Sequence, residues 1–161
     1  MIHQSWKSRK LPTRRAQRWS ASWQTCFPNW EFRFWTDDDN LALVRDHYPW
    51  FLPVYFSFKK PVERADVARY FYMFHFGGIY ADLDAVCQKN FEHLLNSTAM
   101  LFGGMDGLKQ EDSLLRTYVE NSLMASRPGH PFWMRLIARV MVHQHFGRGG
   151  GQWTLPPGLR F

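Results

Sequence analysis

Asp82 and Asp84, separated by a single residue, are the pair with the clearest chemical meaning in this chain. They lie in segment 79–86, where apolar and polar residues alternate, which predicts a strand with both carboxylates on one face, about 7 Å apart. Such neighbours repel one another in a partly buried strand unless a cation lies between them. Hard divalent cations, Mn²⁺ or Mg²⁺, prefer carboxylate oxygen and can also bind a diphosphate. The pair therefore predicts a clamp for a metal ion and a pyrophosphate.

The segment before these aspartates predicts the helix that must position them. Residues 62–76 have helical length and are apolar almost all the way round, a pattern typical of burial on most sides. Asp66 and Arg69 lie three residues apart, on one face of that helix. Because a buried charge needs a partner, they form either an internal ion pair or a polar patch facing a pocket with a charged, hydroxylated ligand. The Gly77–Gly78 pair predicts the helix end and the turn into the strand, where Tyr80 shares the face of the aspartates.

Three consecutive aspartates, residues 37–39, form a second acidic cluster directly after Thr36. Apolar residues at helical spacing come next. Threonine followed by aspartate is typical of a helix N-terminus, where side-chain oxygens accept hydrogen bonds from free backbone N–H groups. A metal site is the alternative interpretation. The pattern favours helix capping.

Short strands at 2–6 and 31–35 and helices at 13–25, 111–126 and 131–146 complete the predicted elements. Strands that alternate with helices are typical of an α/β domain with a central, largely parallel, Rossmann-like sheet flanked by helices. The length of 161 residues fits a single domain of this kind. Because few strands are found for such a sheet, a truncated domain is a further hypothesis.

The composition narrows the class of protein without selecting a function. Hydrophobic residues make up 45% and aromatic residues 17% of the chain, which excludes a disordered polymer. The chain contains no run of about 18 apolar residues, so the sequence predicts no membrane span. The formal net charge of +6 favours nucleic acid, acidic membranes or phosphorylated small molecules, and equally fits a solvated basic helix face. Cys26 and Cys87 permit either one disulfide or two free thiols.

The run from Glu63 to Asp84, which holds the helix, the double glycine and the Asp-x-Asp, resembles the DXD region of glycosyltransferase family 32. That family includes yeast-type initiating mannosyltransferases, inositol-phosphoceramide mannosyltransferases and bacterial capsule or exopolysaccharide transferases. Segments 2–7 and 35–40 agree with the family pattern. The resemblance covers residues 1–105 well and the remainder loosely.

The resemblance implies a GT-A-like catalytic domain over residues 1–161, with a donor-binding half at 1–105 and a looser acceptor half at 106–161 whose completeness stays open. It implies a retaining, Mn²⁺- or Mg²⁺-dependent transfer of a hexose, mannose foremost, from a GDP- or UDP-sugar to a glycan or glycolipid acceptor. Membrane association would require a segment outside these residues. The location would be the Golgi or another endomembrane in a eukaryote, and cytoplasmic or membrane-associated in a bacterium.

The resemblance also implies roles for individual residues. Asp84 would coordinate the metal directly, and Asp82 would contact the metal or the ribose and sugar. Asp66 and Arg69 match positions that hold donor-sugar hydroxyls. Trp6 matches an aromatic that stacks on the nucleobase, with plain core packing as the alternative. The remaining donor-side and acceptor-side candidates, on looser grounds, are Tyr80, Asn121 and Ser122.

Three other interpretations are open to this sequence. A glycoside hydrolase would use Asp82 and Asp84 as acid and base, but such pairs flank the scissile bond from opposite sides of a cleft. A basic nucleic-acid-binding module would use the early Lys/Arg cluster and the nearby tryptophans, but it leaves the Asp-x-Asp unexplained. We therefore expect no nucleic-acid partner. A non-catalytic or incomplete remnant of the transferase fold is the third alternative.

Overall fold

The structure, a computed structural model, describes residues 1–95, 100–106 and 117–146. Five strands form one sheet, and they are β1 (Ile2–Ser5), β2 (Phe32–Trp35), β3 (Gly78–Ala81), β4 (Met100–Asp106) and β5 (Thr117–Ser126). Their order across the sheet is β2–β1–β3–β5–β4. β1 pairs in parallel with β2 and β3, whereas β5 pairs antiparallel with β3 and β4. Four of these five strands therefore run in one direction, which confirms the predicted mostly parallel sheet.

Helices cover both faces of this sheet. They are α1 (Arg14–Cys26), α2 (Asp37–His47), α3 (Leu52–Ser57), α4 (Pro61–His75), α5 (Glu92–Leu95) and α6 (Pro131–Phe146), with a 3₁₀ turn at Pro49–Phe51. Successive strand residues point to opposite faces. Ile79 accordingly belongs to the cluster with Trp23 of α1 and Phe27 just after it, while Tyr80 belongs to the cluster built by α2, α4 and α6. The predicted α/β layering is confirmed. Within the described ranges, no helix has both the length and the apolar character that crossing a membrane requires.

The acidic cluster at 37–39 begins α2, as the capping interpretation predicts. The Thr36 hydroxyl accepts a hydrogen bond from the Asp39 N–H at 3.2 Å, and the Asp39 carboxylate accepts one from the Thr36 N–H at 2.8 Å. This reciprocal pair satisfies two N–H groups that a helix start leaves free. Arg9 also binds the Asp39 carboxylate at 2.8 Å. Asp39 is thus committed to the helix start.

The double glycine after α4 is required by backbone geometry. Gly77 and Gly78 have φ angles of +62° and +90°, in the region that favours glycine. A side chain at Gly77 would collide with the backbone of Pro128, and one at Gly78 would collide with the Met1 carbonyl. The helix therefore ends at the predicted place, and the tight turn brings β3 directly against β1.

One predicted helix is wrong, because residues 117–126 of the predicted helix 111–126 form strand β5. The strand lies between β3 and β4 and pairs with both, with Met124 opposite Tyr80 and Phe102. Residues 124–126 pair with strands on both sides, and such tertiary pairing overrides local helical periodicity. Residues 111–116 lie outside the described part of the chain.

The two cysteines form a disulfide, which decides between the alternatives that the sequence leaves open. Cys26 at the end of α1 is bonded to Cys87, with the two Cα atoms 6.3 Å apart. Two hydrogen bonds reinforce this link: the Trp23 indole N–H donates to the Ala85 carbonyl at 2.9 Å, and the Cys87 N–H donates to the Ser22 hydroxyl at 3.0 Å. Helix α1 is therefore tied to the segment that follows the Asp-x-Asp.

A buried histidine joins β1 to its neighbours. His3 is fully buried, its Nε2 lies 2.9 Å from the Gly77 carbonyl oxygen, and its Nδ1 accepts a hydrogen bond from the Trp35 indole at 3.0 Å. These partners fit the neutral imidazole with its proton on Nε2. Burial lowers the pKa of His3 to about 4, although the Gly77 carbonyl opposes this shift. His3 is thus structural.

This pKa predicts a loss of stability in acid. The unfolded chain binds the proton near pH 6.5, whereas folded His3 resists it until about pH 4. The His3 contribution is therefore complete above pH 6.5 and declines as the pH falls towards 4, by about 3 kcal/mol of unfolding free energy in total. Urea unfolding across this range measures the decline, and an NMR titration of the imidazole isolates His3. An imidazole that titrates near pH 6.5 in the folded protein would contradict the prediction.

Candidate functional site

The carboxyl ends of three parallel strands meet at one cavity. Trp6 and Lys7 follow β1, Asp37 follows β2, and Asp82 follows β3, and all four side chains line a cavity of about 610 Å³. In open α/β sheets, ligands bind in the crevice beyond the carboxyl ends of the strands. The volume lies within the range of small-molecule sites. This edge of the sheet is therefore the candidate site.

The Asp-x-Asp lies in a turn, so the predicted strand over 79–86 is wrong beyond Ala81. The Asp82 N–H donates to the Ser122 carbonyl at 2.8 Å, and the Ala85 N–H donates back to the Asp82 carbonyl at 3.0 Å. The second hydrogen bond closes a turn, so the backbone is no longer extended after β3. The two carboxylates therefore do not share a strand face. Both Asp82 and Asp84 nevertheless line the cavity.

Arg69 connects the acidic groups of the site. Its side chain is 8% exposed, and its guanidinium contacts Asp66 Oδ1 at 2.7 Å and Asp82 Oδ1 at 3.1 Å. It also donates to the Asn121 carbonyl at 3.0 Å and lies over the Tyr80 ring, 4.5 Å from its centre. Asp66 and Arg69 thus form the ion pair of the first alternative, and both also line the cavity, while a ligand at this pair stays a prediction.

Tyr80 holds Asp82 from inside the sheet. Tyr80 is 1% exposed, and its hydroxyl donates to Asp82 Oδ1 at 2.7 Å. Burial raises the pKa of Tyr80 well above 10, so the hydroxyl keeps the proton that it donates. The structure therefore places Tyr80 as the orienting partner of an acid, at the cavity wall. Its predicted contact with a donor stays a prediction.

Opposing influences act on the Asp82 carboxyl. Burial raises its pKa, and the charges of Asp84 and Asp66 add to the rise. The Arg69 charge and the Tyr80 hydrogen bond oppose it. A cation beside Asp82 would favour the ionised form in the same way as Arg69 does.

The acidic turn, which holds Asp82 and Asp84, fits a metal ion whose other ligands would come from the substrate and water. Within the described ranges, no group of three or more His, Cys, Asp or Glu side chains could hold a metal. The turn offers Asp84 and Oδ2 of Asp82, because Oδ1 of Asp82 already binds Tyr80 and Arg69. Mg²⁺ sites characteristically use one or two carboxylates, with substrate phosphates and water as the other ligands. Two carboxylates beside an open cavity match that donor set.

Trp6 lies where stacking on a ligand is feasible. Its side chain is half-buried, lines the cavity and belongs to neither of the two core clusters. The backbone N–H of Trp6 donates to the Trp35 carbonyl at 3.0 Å, which extends the β1–β2 pairing past Ser5. This placement favours the stacking interpretation over core packing. The nucleobase contact itself stays a prediction.

The structure adds two residues to the candidate site and places a third. Asp37, for which the sequence favours helix capping over a metal site, lines the cavity, and so does Lys7. Their position directly after parallel strands is the signal that could have found them. Asn121 also lines the cavity, whereas Ser122 contributes through its backbone carbonyl to Asp82.

A solved structure with the same architecture is the PaToxG glycosyltransferase. The two align with a TM-score of 0.62 over 91% of this chain and 61% of that chain, at 16% sequence identity. The likeness at that identity concerns the fold alone. It agrees with the expected GT-A class, an α/β domain whose mostly parallel sheet carries a cavity at its carboxyl edge.

The family follows from sequence comparison. A family profile described as the glycosyltransferase sugar-binding region containing the DXD motif matches residues 13–101, more than half of the chain. The chain belongs to this family. Similar curated proteins include the mannosyl phosphorylinositol ceramide synthase CSH1 of Saccharomyces cerevisiae, 33% identical over 97% of this chain. The inositol phosphoceramide mannosyltransferase 2 of Schizosaccharomyces pombe is 34% identical over 87% of this chain. The chain spans 37% of the length of each of these relatives.

Proposed function

We propose that this chain is the catalytic part of a metal-dependent glycosyltransferase that moves a hexose, mannose foremost, from a nucleotide-sugar to a glycan or glycolipid. One observation carries the proposal. A single cavity at the carboxyl edge of the parallel strands is lined by Asp82, Asp84, Asp66 and Arg69. The names of the yeast relatives support mannose and a glycolipid acceptor.

The acidic turn would hold the cation and through it the donor diphosphate. Asp84 and Oδ2 of Asp82 would be the ligands, and Tyr80 and Arg69 hold the Asp82 carboxylate in place through Oδ1. When bound, Mn²⁺ or Mg²⁺ supplies a Lewis acid that neutralises charge on the leaving diphosphate. Since the orienting groups are already in position, little reorganisation is needed when the donor binds.

The helix pair would hold the sugar. Asp66 accepts hydrogen bonds from sugar hydroxyls through Oδ2, because its Oδ1 binds Arg69. The Asp66 side chain is 43% exposed, which leaves it accessible from the cavity. Retention of the anomeric configuration is part of the proposal and follows from the family resemblance.

The hydrolase alternative fits this geometry poorly. Asp82 and Asp84 belong to one turn, with a single residue between them. A hydrolytic acid and base act from opposite sides of the scissile bond. A transferase is therefore the function that the site supports best.

A thermal-shift screen tests the proposal. GDP-mannose, UDP-glucose, UDP-galactose and UDP-N-acetylglucosamine are each added with Mn²⁺, and again with EDTA. At a ligand concentration about 100 times Kd, a donor that binds only the folded chain adds about 2.7 kcal/mol, and the melting temperature rises accordingly. We expect a rise for at least one donor with Mn²⁺ and a much smaller one with EDTA. Equal melting temperatures for every donor with and without Mn²⁺ would overturn the proposal.

A further inference from the structure

The proposed function leaves the basic residues near the start of the chain largely without a role. Segment 7–18 holds lysines and arginines and no acidic residue. Its basic residues are Lys7, Arg9, Lys10, Arg14, Arg15 and Arg18. All of them are exposed, and Arg9 also binds Asp39 of α2. The segment is therefore a concentrated patch of positive charge on the surface of the protein.

This basic segment lies at the mouth of the cavity. Lys7, Pro12 and Thr13 line the cavity and are also exposed, and side chains that do both lie where the cavity opens to solvent. The Arg15 guanidinium lies over the ring of Trp19, 5.7 Å from its centre, and Trp19 lines the cavity as well. The start of α1 and the loop before it therefore form one part of the rim of the opening.

A second segment, residues 56–62, forms another part of the same rim. Pro61 and Val62, at the start of α4, line the cavity and are exposed. Lys59 and Lys60 directly precede them and are exposed too. This segment also contains no acidic residue. Positive charge thus borders the opening on the α4 side as well as on the α1 side.

Apolar side chains are exposed beside these lysines. Phe56 is 56% exposed and Val62 is 59% exposed. The Arg64 guanidinium lies 6.0 Å from the centre of the Phe56 ring, so this ring has a cation beside it. A single exposed apolar residue needs no explanation. Apolar side chains next to lysines at the rim of a cavity are typical of surfaces that enter a membrane interface.

Anionic lipid fits this combination better than nucleic acid does. Single-stranded nucleic acid binds basic grooves in which bases stack on flat aromatic rings. A phosphate chain that crossed the opening would meet the acidic side chains of the cavity, which include Asp37, Asp66, Asp82 and Asp84. A membrane surface contacts the rim alone, where positive side chains meet its negative headgroups and apolar ones meet its acyl boundary.

We propose that the rim formed by segments 7–18 and 56–62 docks onto an anionic lipid bilayer, with the cavity opening towards the membrane. Phe56 and Val62 enter the boundary between headgroups and acyl chains, and the lysines and arginines bind the headgroups. The inference goes beyond the proposed function and does not depend on it, because this docking uses neither a sugar donor nor a metal ion.

Co-sedimentation of the chain with vesicles tests the docking. Vesicles of phosphatidylcholine alone are compared with vesicles that contain about 30% phosphatidylserine, at about 0.1 M salt. We expect the anionic vesicles to bind the chain at least about 10-fold more tightly, and the binding to weaken as salt rises. Equal binding to both kinds of vesicle, or binding to neither, would overturn the proposal. A single-stranded oligonucleotide that displaces the chain from anionic vesicles at equal phosphate concentration would also overturn it, in favour of nucleic acid.

Charge variants locate the contact. Lys59→Gln combined with Lys60→Gln should weaken binding to anionic vesicles by about 10- to 30-fold, since each charge near such a surface contributes about 5-fold. Lys89→Gln combined with Arg127→Gln is the matched control, because it removes two exposed charges that do not line the cavity. The net charge falls equally in both, yet the control should bind within about 2-fold of wild type. Equal losses would show that net charge alone attracts the chain, which would contradict docking by the rim.

Apolar variants test the insertion separately. Val62→Ser should keep the melting temperature of wild type, because the side chain is exposed, and should weaken vesicle binding by about 3- to 10-fold. This ratio should stay constant as salt rises, since salt screens charges only. Val142→Ser on α6, where Val142 is 44% exposed and does not line the cavity, is the control and should bind as wild type does. Phe56→Ser changes a residue that does not line the cavity and should show the same loss. Wild-type binding by both Val62→Ser and Phe56→Ser would refute insertion of the rim.

Discussion

Asp84→Asn should lower hexose transfer, or Mn²⁺-dependent hydrolysis of the donor, by at least about 100-fold. Asparagine keeps the shape of the side chain and removes the negative charge that a divalent cation requires. Loss of one electrostatic contact to a developing charge in an active site costs about 10²–10³ in rate. A radiolabelled GDP- or UDP-sugar, with the full-length protein and Mn²⁺, measures the loss.

The folded structure should tolerate this change. Asp84 is exposed in its turn, and the hydrogen bonds that shape the turn come from backbone groups of Asp82 and Ala85. The melting temperature without ligand should therefore match wild type. Asp38→Asn serves as the matched control, because it removes an exposed aspartate that does not line the cavity. Undiminished turnover by Asp84→Asn would end the metal-clamp hypothesis.

Arg69→Lys should affect both turnover and stability. Lysine keeps the charge but cannot reach Asp66, Asp82 and the Asn121 carbonyl together, since these contacts use both terminal nitrogens of a planar guanidinium. Breaking a buried charge network of this kind costs about 3 kcal/mol of folding free energy. We expect transfer to fall by about 100-fold through misplacement of Asp66 and Asp82.

The pH dependence of this variant gives a second readout. Arg69 opposes the upward shift of the Asp82 pKa that burial causes. With weaker contact from lysine, the pKa of Asp82 should rise further, and the ionised carboxylate that is proposed to hold the metal would be lost at a higher pH. The acid limb of kcat/KM should therefore move to higher pH in Arg69→Lys.

Arg64→Lys is the matched control for these measurements. Arg64 lies on the same helix, but its guanidinium donates to the Phe58 carbonyl at 3.0 Å and does not line the cavity. Its replacement should leave the pH profile unchanged. An Arg69→Lys variant with a wild-type acid limb would show that Arg69 does not act on Asp82.

Strand β5 is a case in which the local sequence pattern does not predict the secondary structure. The segment 117–126 fits a helical pattern in isolation, yet it pairs with β3 and β4. Its strand conformation depends on partners in β3 that lie more than forty residues earlier in the chain. Pairing energies of that kind carry no signature within the segment itself. The disulfide between Cys26 and Cys87 likewise depends on where α1 meets the segment after the acidic turn.

The candidate site was predictable to the extent that its residues lie close in sequence. Asp66 and Arg69 on one helix, and the acidic pair after the double glycine, are short-range patterns with definite chemistry. The structure brings these two groups together through the contact of Arg69 with Asp82. For Asp37 the sequence favours helix capping over a metal site, because its place in the cavity depends on the parallel pairing of β2 with β1.

What the amino-acid sequence determined by itself is therefore local. It includes the capping box at Thr36 and Asp39 and the glycine turn at Gly77–Gly78, since these rest on hydrogen bonds or backbone angles within a few residues. The burial of α4 was also readable, because its residues are apolar almost all the way round. The tertiary structure alone decided that the strand after this turn ends at Ala81 and that the ends of β1, β2 and β3 share one cavity. The physical reason is that strand pairing and helix packing join distant segments, and their free energy exceeds the weak preferences of any one segment.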